Sequence, residues 1–179
     1  MINILGVAGS GKSTQGMLLA ERLKCPWVSI GQLLRQKLEG DAREDMLQGK
    51  IINDEITLGV LKEDLVAQNA ATDEVVLDGF PRTMSQAEWL AGEVEAGNIK
   101  MTGIIHLVAD KNVAMDRLLQ RGRRDDTEEA IHQRFSAYHQ TIIPILDYLK
   151  SRGLPIYDID ADLSIPEVEK EVDKALGIK

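Results

Sequence analysis

Hydrophobic positions along the chain alternate between short apolar runs and segments with helical spacing. Five apolar runs are typical of buried strands, and they cover residues 2–5, 27–29, 75–78, 104–108 and 155–159. Between these runs, apolar residues recur at every third or fourth position, as they do in amphipathic helices. Strands that alternate with helices in this way predict an α/β fold in which helices cover a parallel sheet.

The segment between the second and third runs carries helical spacing and no strong strand pattern over about forty-five residues. Leu33, Leu34 and Leu38 predict one helix, and Gly40-Asp41 predicts a break after it. Leu58, Leu61 and Leu65 predict a second helix, with Asn53 or Asp54 as its cap. Open α/β sheets bind ligands at the carboxyl ends of their strands, where such an insertion lies. We therefore expect a helical flap that contributes to ligand binding.

Capping signals predict four helices in the second half of the chain. Thr83-x-x-Gln86 predicts a helix over 84–96, and Asp110 predicts one over 111–121. Asp125-x-x-Glu128 predicts the start of a long helix that ends at about 150, and Ser164-x-x-Glu167 predicts the start of the last helix. Capping alone would be a sufficient role for Gln86. No repeat or low-complexity linker separates these elements, so we expect one domain.

A glycine-rich segment, Gly6–Thr14, follows the first apolar run and precedes a helix. It fits G-x-x-x-x-G-K-[ST], the phosphate-binding P-loop, in the strand–loop–helix context that the motif requires. Its glycines allow close approach to an anion, and the start of the helix presents free N–H groups. The residues expected to bind ATP here are Gly9, Ser10, Gly11, Lys12, Ser13 and Thr14. Lys12 would reach the outer phosphates, and Ser13 could contact Mg²⁺.

The overall charge argues against a general nucleic-acid or membrane-surface protein. The 179 residues carry a net charge of −8, whereas such proteins need a basic surface. The single cysteine, Cys25, excludes an intrachain disulfide and a multi-cysteine zinc site. No apolar run approaches a membrane span and no secretory signal is visible, so we expect a cytoplasmic protein.

Arginines cluster locally against this acidic background, at 117, 121, 123, 124 and 134. Asp78 ends the third apolar run, where it could hold Mg²⁺ directly or through water. Alternatively, it is an ordinary aspartate at the end of a strand. Arg82 follows it in a loop. Arginines suit transfer between two phosphates, because repulsion between the anions must be overcome and no base is required. Alternatively, the late arginines form a solvated helix face that pairs with acidic neighbours.

Four motifs together resemble the adenylate kinase family of nucleoside monophosphate kinases. They are the P-loop through Gln15, the segments 29–35 (SIGQLLR) and 77–83 (LDGFPRT), and Arg123-Arg124-Asp125-Asp126 followed by Arg134. The resemblance implies a three-layer P-loop NTPase fold with a five-stranded parallel sheet. It implies one nucleotide kinase domain over 1–179, with its core at 1–28, 60–120 and 128–179. A monophosphate-binding insertion would occupy 29–59 and a very short lid 121–127.

The resemblance also implies an activity and roles for individual residues. The activity is Mg²⁺-dependent, reversible transfer of the γ-phosphoryl group of ATP to AMP, giving two ADP, by an enzyme that we expect to be monomeric and free of zinc. Lys12, Arg82, Arg123 and Arg134 would be catalytic, and Arg117 and Arg121 would join the P-loop in binding ATP. The implied acceptor-binding residues are Ile30, Gly31, Arg35, Ile52, Gly79, Arg82, Gln86, Arg123 and Arg134. Asp125 and Asp126 would form the lid hinge.

Four features depart from the family pattern. Ser13 replaces the usual Gly, Ile30 the usual Thr and Gln32 the usual Asp, and only Gly122 separates Arg121 from Arg123. Because Ile30 lacks the hydroxyl of the usual Thr, one polar contact near the acceptor base is lost. The nearest alternative to an AMP kinase is therefore a kinase of pyrimidine monophosphates or one of broad specificity. A kinase with a hydroxyl acceptor and a non-catalytic ATP-binding switch are further alternatives, which the arginines and the intact Lys12 disfavour.

Overall fold

The computed structural model describes residues 1–48, 50–123 and 127–178. The strands within these ranges are β1 (Ile2–Gly6), β2 (Trp27–Ser29), β3 (Val76–Asp78), β4 (Gly103–Val108) and β5 (Ile156–Asp160). The helices are α1 (Lys12–Leu23), α2 (Ile30–Lys37), α3 (Gly40–Leu47), α4 (Asp54–Ala67), α5 (Met84–Glu95), α6 (Lys111–Arg121), α7 (Glu128–Ser151) and α8 (Ile165–Leu176). Every predicted strand is present, with its ends within about one residue of the prediction.

The five strands form one parallel sheet in the order β2-β3-β1-β4-β5. Residues of β1 alternate between its faces: Ile2 and Ile4 pack in one apolar cluster with residues of α1 and α8, and Leu5 packs in another with residues of α5 and α7. Burial on both faces explains why the strands read as nearly continuous apolar runs. The predicted three-layer α/β fold is therefore confirmed.

The insertion between β2 and β3 contains three helices rather than the two that the pattern predicted. α2 ends at Lys37 and α3 begins at Gly40, so the predicted break falls just before Gly40. The sequence did not reveal α3 because Met46 is its one buried residue, too few for an apolar stripe. Asn53 caps α4, since its side-chain oxygen accepts a hydrogen bond from the backbone N–H of Glu55 at 2.7 Å.

Two capping predictions need correction. Thr127, not Asp125, caps α7: its hydroxyl accepts the backbone N–H of Ala130 at 3.2 Å, and Asp125 lies outside the described residues. Thr83 caps α5 as predicted, but the side-chain oxygen of Gln86 accepts the N–H of Arg82 and not that of Thr83. The capping box at Ser164 and Glu167 is present in full. Among the described residues, none of the helices has the length and apolar character needed to cross a membrane.

Candidate active site

A cavity of about 670 Å³ lies at the carboxyl ends of the strands. Its walls come from the P-loop after β1, the helical insertion after β2, the loop after β3, helices α6 and α7, and the segment after β5. This is the edge at which open α/β sheets bind ligands, because each strand there delivers a loop to the same place. Residues far apart in sequence therefore meet in one cavity.

The P-loop runs from Gly6 to the start of α1 at Lys12, and its backbone requires glycine at Gly9. Gly9 has φ +85°, and a Cβ atom there would lie 2.3 Å from the carbonyl oxygen of Ala114 on α6. The N-cap of α1 is Gly11, which has no side chain to accept the first amide hydrogens of the helix. These amides face the cavity with the positive end of the helix dipole, an arrangement suited to phosphate.

Ser10 adds a polar group to this loop. Its side chain is buried, and its hydroxyl oxygen has no hydrogen-bond partner in the part of the chain that the structure describes. A buried polar atom without a partner is costly, so the site gains when a ligand supplies one.

Lys12 lies half-buried in the cavity wall, with its Nζ donating a hydrogen bond to the carbonyl oxygen of Val7 at 2.7 Å. Burial lowers the pKa of the Lys12 ammonium from 10.5 to about 8. The charge of Asp78 raises this pKa, while the charges of Arg82, Arg121 and Arg134 lower it. An anionic ligand beside Lys12 would favour its charged form.

Asp78 ends β3 next to β1, where it lies in register with Ile4. Its carboxylate is buried and accepts a hydrogen bond from the Ser13 hydroxyl at 2.7 Å. Mg²⁺ that binds with nucleotide phosphates takes one or two protein oxygens and keeps several waters. The oxygens of Ser13 and Asp78, adjacent to each other beside the P-loop, fit that requirement.

Arg82 follows β3 and extends back over the same strand end. Its Nε donates to the carbonyl oxygen of Gly79 at 2.8 Å, and Gly79 adopts φ +81°, which only glycine adopts freely. Burial lowers the pKa of the Arg82 guanidinium; Asp78 raises it and Arg134 lowers it. The side chain is thus a positive charge fixed in position between the P-loop and the insertion.

The far end of the cavity combines apolar walls with one buried amide. Ile30 and Ile52 are buried and line the cavity, whereas Gln32 is exposed and is not among the described residues of its wall. The Gln86 side chain is also buried. Its oxygen accepts the backbone N–H of Arg82 at 2.8 Å, and its nitrogen donates to the Asp54 carboxylate at 2.7 Å. The Gln86 side chain therefore does not cap α5 but joins the loop after β3 to the insertion.

Five further arginines reach the cavity wall, namely Arg35, Arg117, Arg121, Arg123 and Arg134. Arg117 donates from Nη1 to the carbonyl oxygen of Ala161 at 2.8 Å, beside the segment that follows β5. Arg35, Arg117 and Arg134 are half-buried, whereas Arg121 and Arg123 are exposed, so of the late arginines Arg117 and Arg134 depart from a solvated helix face. Such a set of cations in one cavity is suited to a ligand with several anionic groups.

All predicted site residues that the structure describes line this one cavity. The predicted hinge residues Asp125 and Asp126 lie outside the described residues. Sequence reasoning missed the wall residues Thr57 and Tyr138 and the segment 163–165. The position of 163–165 just past the carboxyl end of the last strand was a signal that could have identified it.

Comparison with known proteins identifies the family. The family model described as adenylate kinase matches residues 4–154. The chain is 34% identical to an adenylate kinase of Corynebacterium aurimucosum, with 97% of each chain covered. It is 35% identical to adenylate kinase 1 of a Nostoc species, over 97% of this chain and 96% of that protein. An adenylate kinase of Prochlorococcus marinus is 33% identical, over 97% and 96% respectively. On these matches and on the site's architecture, the chain belongs to the adenylate kinase family.

Proposed function

We propose that this protein catalyses the reversible, Mg²⁺-dependent transfer of the γ-phosphoryl group of ATP to AMP, giving two ADP. The observation that carries the proposal is the convergence of a P-loop lysine and six arginines on a single cavity. Two nucleotides bring several phosphates together, and this cavity supplies the positive charge to hold them.

The P-loop end of the cavity would bind ATP. Backbone amides of Gly9–Thr14 would surround the phosphates, and Lys12 would contact the outer ones. Arg117, beside Ala161, would lie against the adenine ring of ATP, and Arg121 would meet the phosphates from α6. Ser13 and Asp78 would hold Mg²⁺, directly or through water, which when bound neutralises charge on the phosphate oxygens.

The other end of the cavity would bind AMP. Arg35 and Arg82 would hold its phosphate, with Gly31 and Gly79 allowing the two guanidinium groups to approach. A Cβ atom at Gly79 would lie 3.1 Å from Nη2 of Arg82, tighter than ordinary contact. Ile30 and Ile52 would cover the base, and Gln86 would recognise its polar edge.

Transfer would take place between the two ends, where Arg82, Arg123 and Arg134 complete the positive surroundings of the moving group. The attacking oxygen of AMP is already anionic near neutral pH, so the site needs no base to remove a proton. The arginines would instead reduce the repulsion between the two phosphates and stabilise the charge that spreads over the transferred group.

We further propose that residues 29–59 act as the acceptor flap and 121–127 as a short lid that turns on Asp125 and Asp126. Lid closure would exclude water that could otherwise hydrolyse ATP. We propose in addition that the protein acts as a cytoplasmic monomer, uses no zinc, and binds neither nucleic acid nor membranes.

The test is acceptor-dependent formation of ADP from Mg-ATP, with AMP, CMP, UMP, GMP and dTMP measured in parallel. We expect turnover with AMP to exceed that with the other acceptors. Equal or better turnover with a pyrimidine nucleotide would contradict AMP as the acceptor and keep the phosphoryl transfer. Absence of turnover with all five would contradict the proposed reaction.

A further inference from the structure

We infer that Asp54 fixes the orientation of the Gln86 side-chain amide and thereby selects a 6-aminopurine over a 6-oxopurine as acceptor. The inference rests on the proposed function, because it assumes that Gln86 meets the base of the acceptor. Asp54 is not among the described residues that line the cavity, so it acts as a positioning residue.

A closed set of hydrogen bonds joins α4 of the insertion to α5 of the core. Asp54 Oδ1 accepts from Gln86 Nε2 at 2.7 Å, and the Thr83 hydroxyl donates to both Asp54 oxygens at 2.8 and 2.9 Å. Thr83 also accepts the backbone N–H of Gln86 at 3.2 Å. Asp54 is therefore held in place by Thr83 while it holds Gln86.

These contacts permit only one orientation of the Gln86 amide. Its oxygen faces the backbone N–H of Arg82, which can only donate, at 2.8 Å. Its nitrogen faces a carboxylate, which when ionised can only accept. Rotation of the amide by half a turn would place two donors together at Arg82 and two acceptors together at Asp54. A charged partner makes the second of these contacts especially unfavourable.

The fixed amide keeps one free N–H and one free oxygen lone pair for a ligand. The edge of adenine presents an acceptor at N1 beside a donor at the 6-amino group, which matches this amide in its fixed orientation. A 6-oxopurine presents the reverse pattern, a donor at N1 beside an acceptor at O6. Binding it would require the rotated amide, and a polar site discriminates strongly against a ligand that leaves its groups unpaired.

Two features make this arrangement suited to selectivity rather than to stability alone. Gln86 is only 1% exposed, so its amide is desolvated and a mismatched hydrogen bond there is not compensated by water. The carboxylate that fixes it belongs to the insertion, whereas Gln86 belongs to the core. Purine choice is thus determined where the two regions meet.

The experiment compares Asp54→Asn with Glu55→Gln, using AMP and inosine monophosphate as acceptors. Inosine monophosphate differs from AMP only at N1 and the 6-substituent. Both substitutions remove one negative charge from the first turn of α4, but only Asp54 contacts Gln86, and Glu55 is exposed. In Asp54→Asn the new side chain can present either its amide oxygen or its amide NH₂ group to Gln86. The Gln86 amide can therefore rotate, and it loses only its hydrogen bond with the backbone N–H of Arg82.

We expect Asp54→Asn to lower the ratio of kcat/KM for AMP to that for inosine monophosphate by about tenfold, the size of one charge-assisted hydrogen bond. The change should appear mainly as a higher KM for AMP, with kcat nearly kept. Glu55→Gln should leave the ratio unchanged. Thermal unfolding of both variants reports whether they fold. If Asp54→Asn does not fold, Asp54→Ala replaces it, and it should lower the ratio in the same direction.

An unchanged ratio in both Asp54 variants would overturn the inference, as would an equal loss of activity toward both acceptors or an equal change of the ratio in Glu55→Gln. The wild-type protein provides a test without any variant, because similar kcat/KM values for the two acceptors would also overturn it. Absence of AMP turnover in the wild type would instead contradict the proposed function itself. The two failures are therefore distinguishable.

Discussion

The two ends of the cavity are built in different ways. The P-loop end consists of nine consecutive residues, Gly6–Thr14, which offer a ligand mainly backbone amides at a strand–helix junction. The opposite end is assembled from side chains on α2, the start of α4, the loop after β3 and α5. One end therefore depends on local backbone geometry and the other on the relative placement of distant elements.

We expect phosphate binding and acceptor selectivity to reside at opposite ends of the cavity. Phosphate binding by the amides of this loop would be insensitive to side-chain identity except at Lys12 and at the glycines with positive φ. Acceptor binding would depend on individual side chains, of which Gln86 and Arg82 are held by specific hydrogen bonds. Substitutions at the two ends should consequently have separable effects on ATP and on the acceptor.

The largest effect is expected for Lys12→Met, which keeps the length of the side chain and removes its charge. We expect transfer to fall by about 10³-fold, because the charge that opposes the outer phosphates is lost from a poorly solvated site. Steady-state kinetics with Mg-ATP and AMP measures this. Lys174→Met, at an exposed lysine on α8, should keep wild-type activity; an equal loss there would show a nonspecific effect.

Arg82→Ala should have the next largest effect and would separate the two ends. We expect transfer to fall by about 10²-fold, while ATP affinity stays within about twofold, since Arg82 would hold the acceptor phosphate. Calorimetry with ATP and steady-state kinetics give the two quantities. Arg152→Ala, which removes an exposed arginine paired with Glu95, should change neither. Near-normal turnover of Arg82→Ala would remove Arg82 from the mechanism.

The pH dependence should isolate the P-loop end. Burial lowers the pKa of Lys12 to about 8 in the ligand-free protein. We expect kcat/KM for ATP to fall by about tenfold between pH 7 and pH 9, because this parameter reports the ionisation of the free enzyme. Measuring kcat/KM for ATP at AMP concentrations well below the KM for AMP keeps the enzyme free of acceptor and gives this pH dependence. A flat profile over this range would contradict the lowered pKa of Lys12.

The same pKa shift predicts how stability changes with pH. The pKa of Lys12 is lower in the folded protein than its ordinary value of 10.5, so the unfolded chain binds more protons between about pH 8 and 10.5. The contribution of Lys12 to the free energy of unfolding should therefore rise with pH across this interval. Denaturant unfolding of the wild type and of Lys12→Met would measure it, since the variant should lack that contribution.

The smallest effect is expected for Ser13→Ala. This substitution removes the hydroxyl that donates to Asp78 at 2.7 Å and keeps the helical backbone of α1. We expect the Mg²⁺ concentration for half-maximal activity to rise by about threefold, because Asp78 remains and water can replace one oxygen. A Mg²⁺ titration at fixed ATP measures the change. An unchanged midpoint would show that Ser13 does not contribute to the metal site.

The sequence alone predicted the P-loop end well because its spacing and neighbours are contiguous. It also predicted a ligand-binding helical insertion at the acceptor end, but the roles of Arg35, Ile52 and Gln86 came only from family resemblance, since these residues share no local pattern. Helix α3 was missed because it buries little apolar surface. The sequence pattern predicted Asp125 as the cap of α7, whereas the cap is Thr127. Asp and Thr both cap helices, and these two residues lie close together in the sequence. The Asp54–Gln86 bond joins residues 32 positions apart, which no single-sequence signal reveals.

The fit of Gly9 against α6 has an evolutionary consequence. An added methyl group at Gly9 would meet the carbonyl oxygen of Ala114, a backbone atom that every residue type carries. A second mutation at position 114 therefore cannot compensate for a mutation at Gly9, so neutral substitutions cannot accumulate at this pair of positions. Ile30 packs instead in a cluster of apolar side chains, and these can change together with it. Compensating substitutions are therefore open to the acceptor end of the cavity and closed to Gly9.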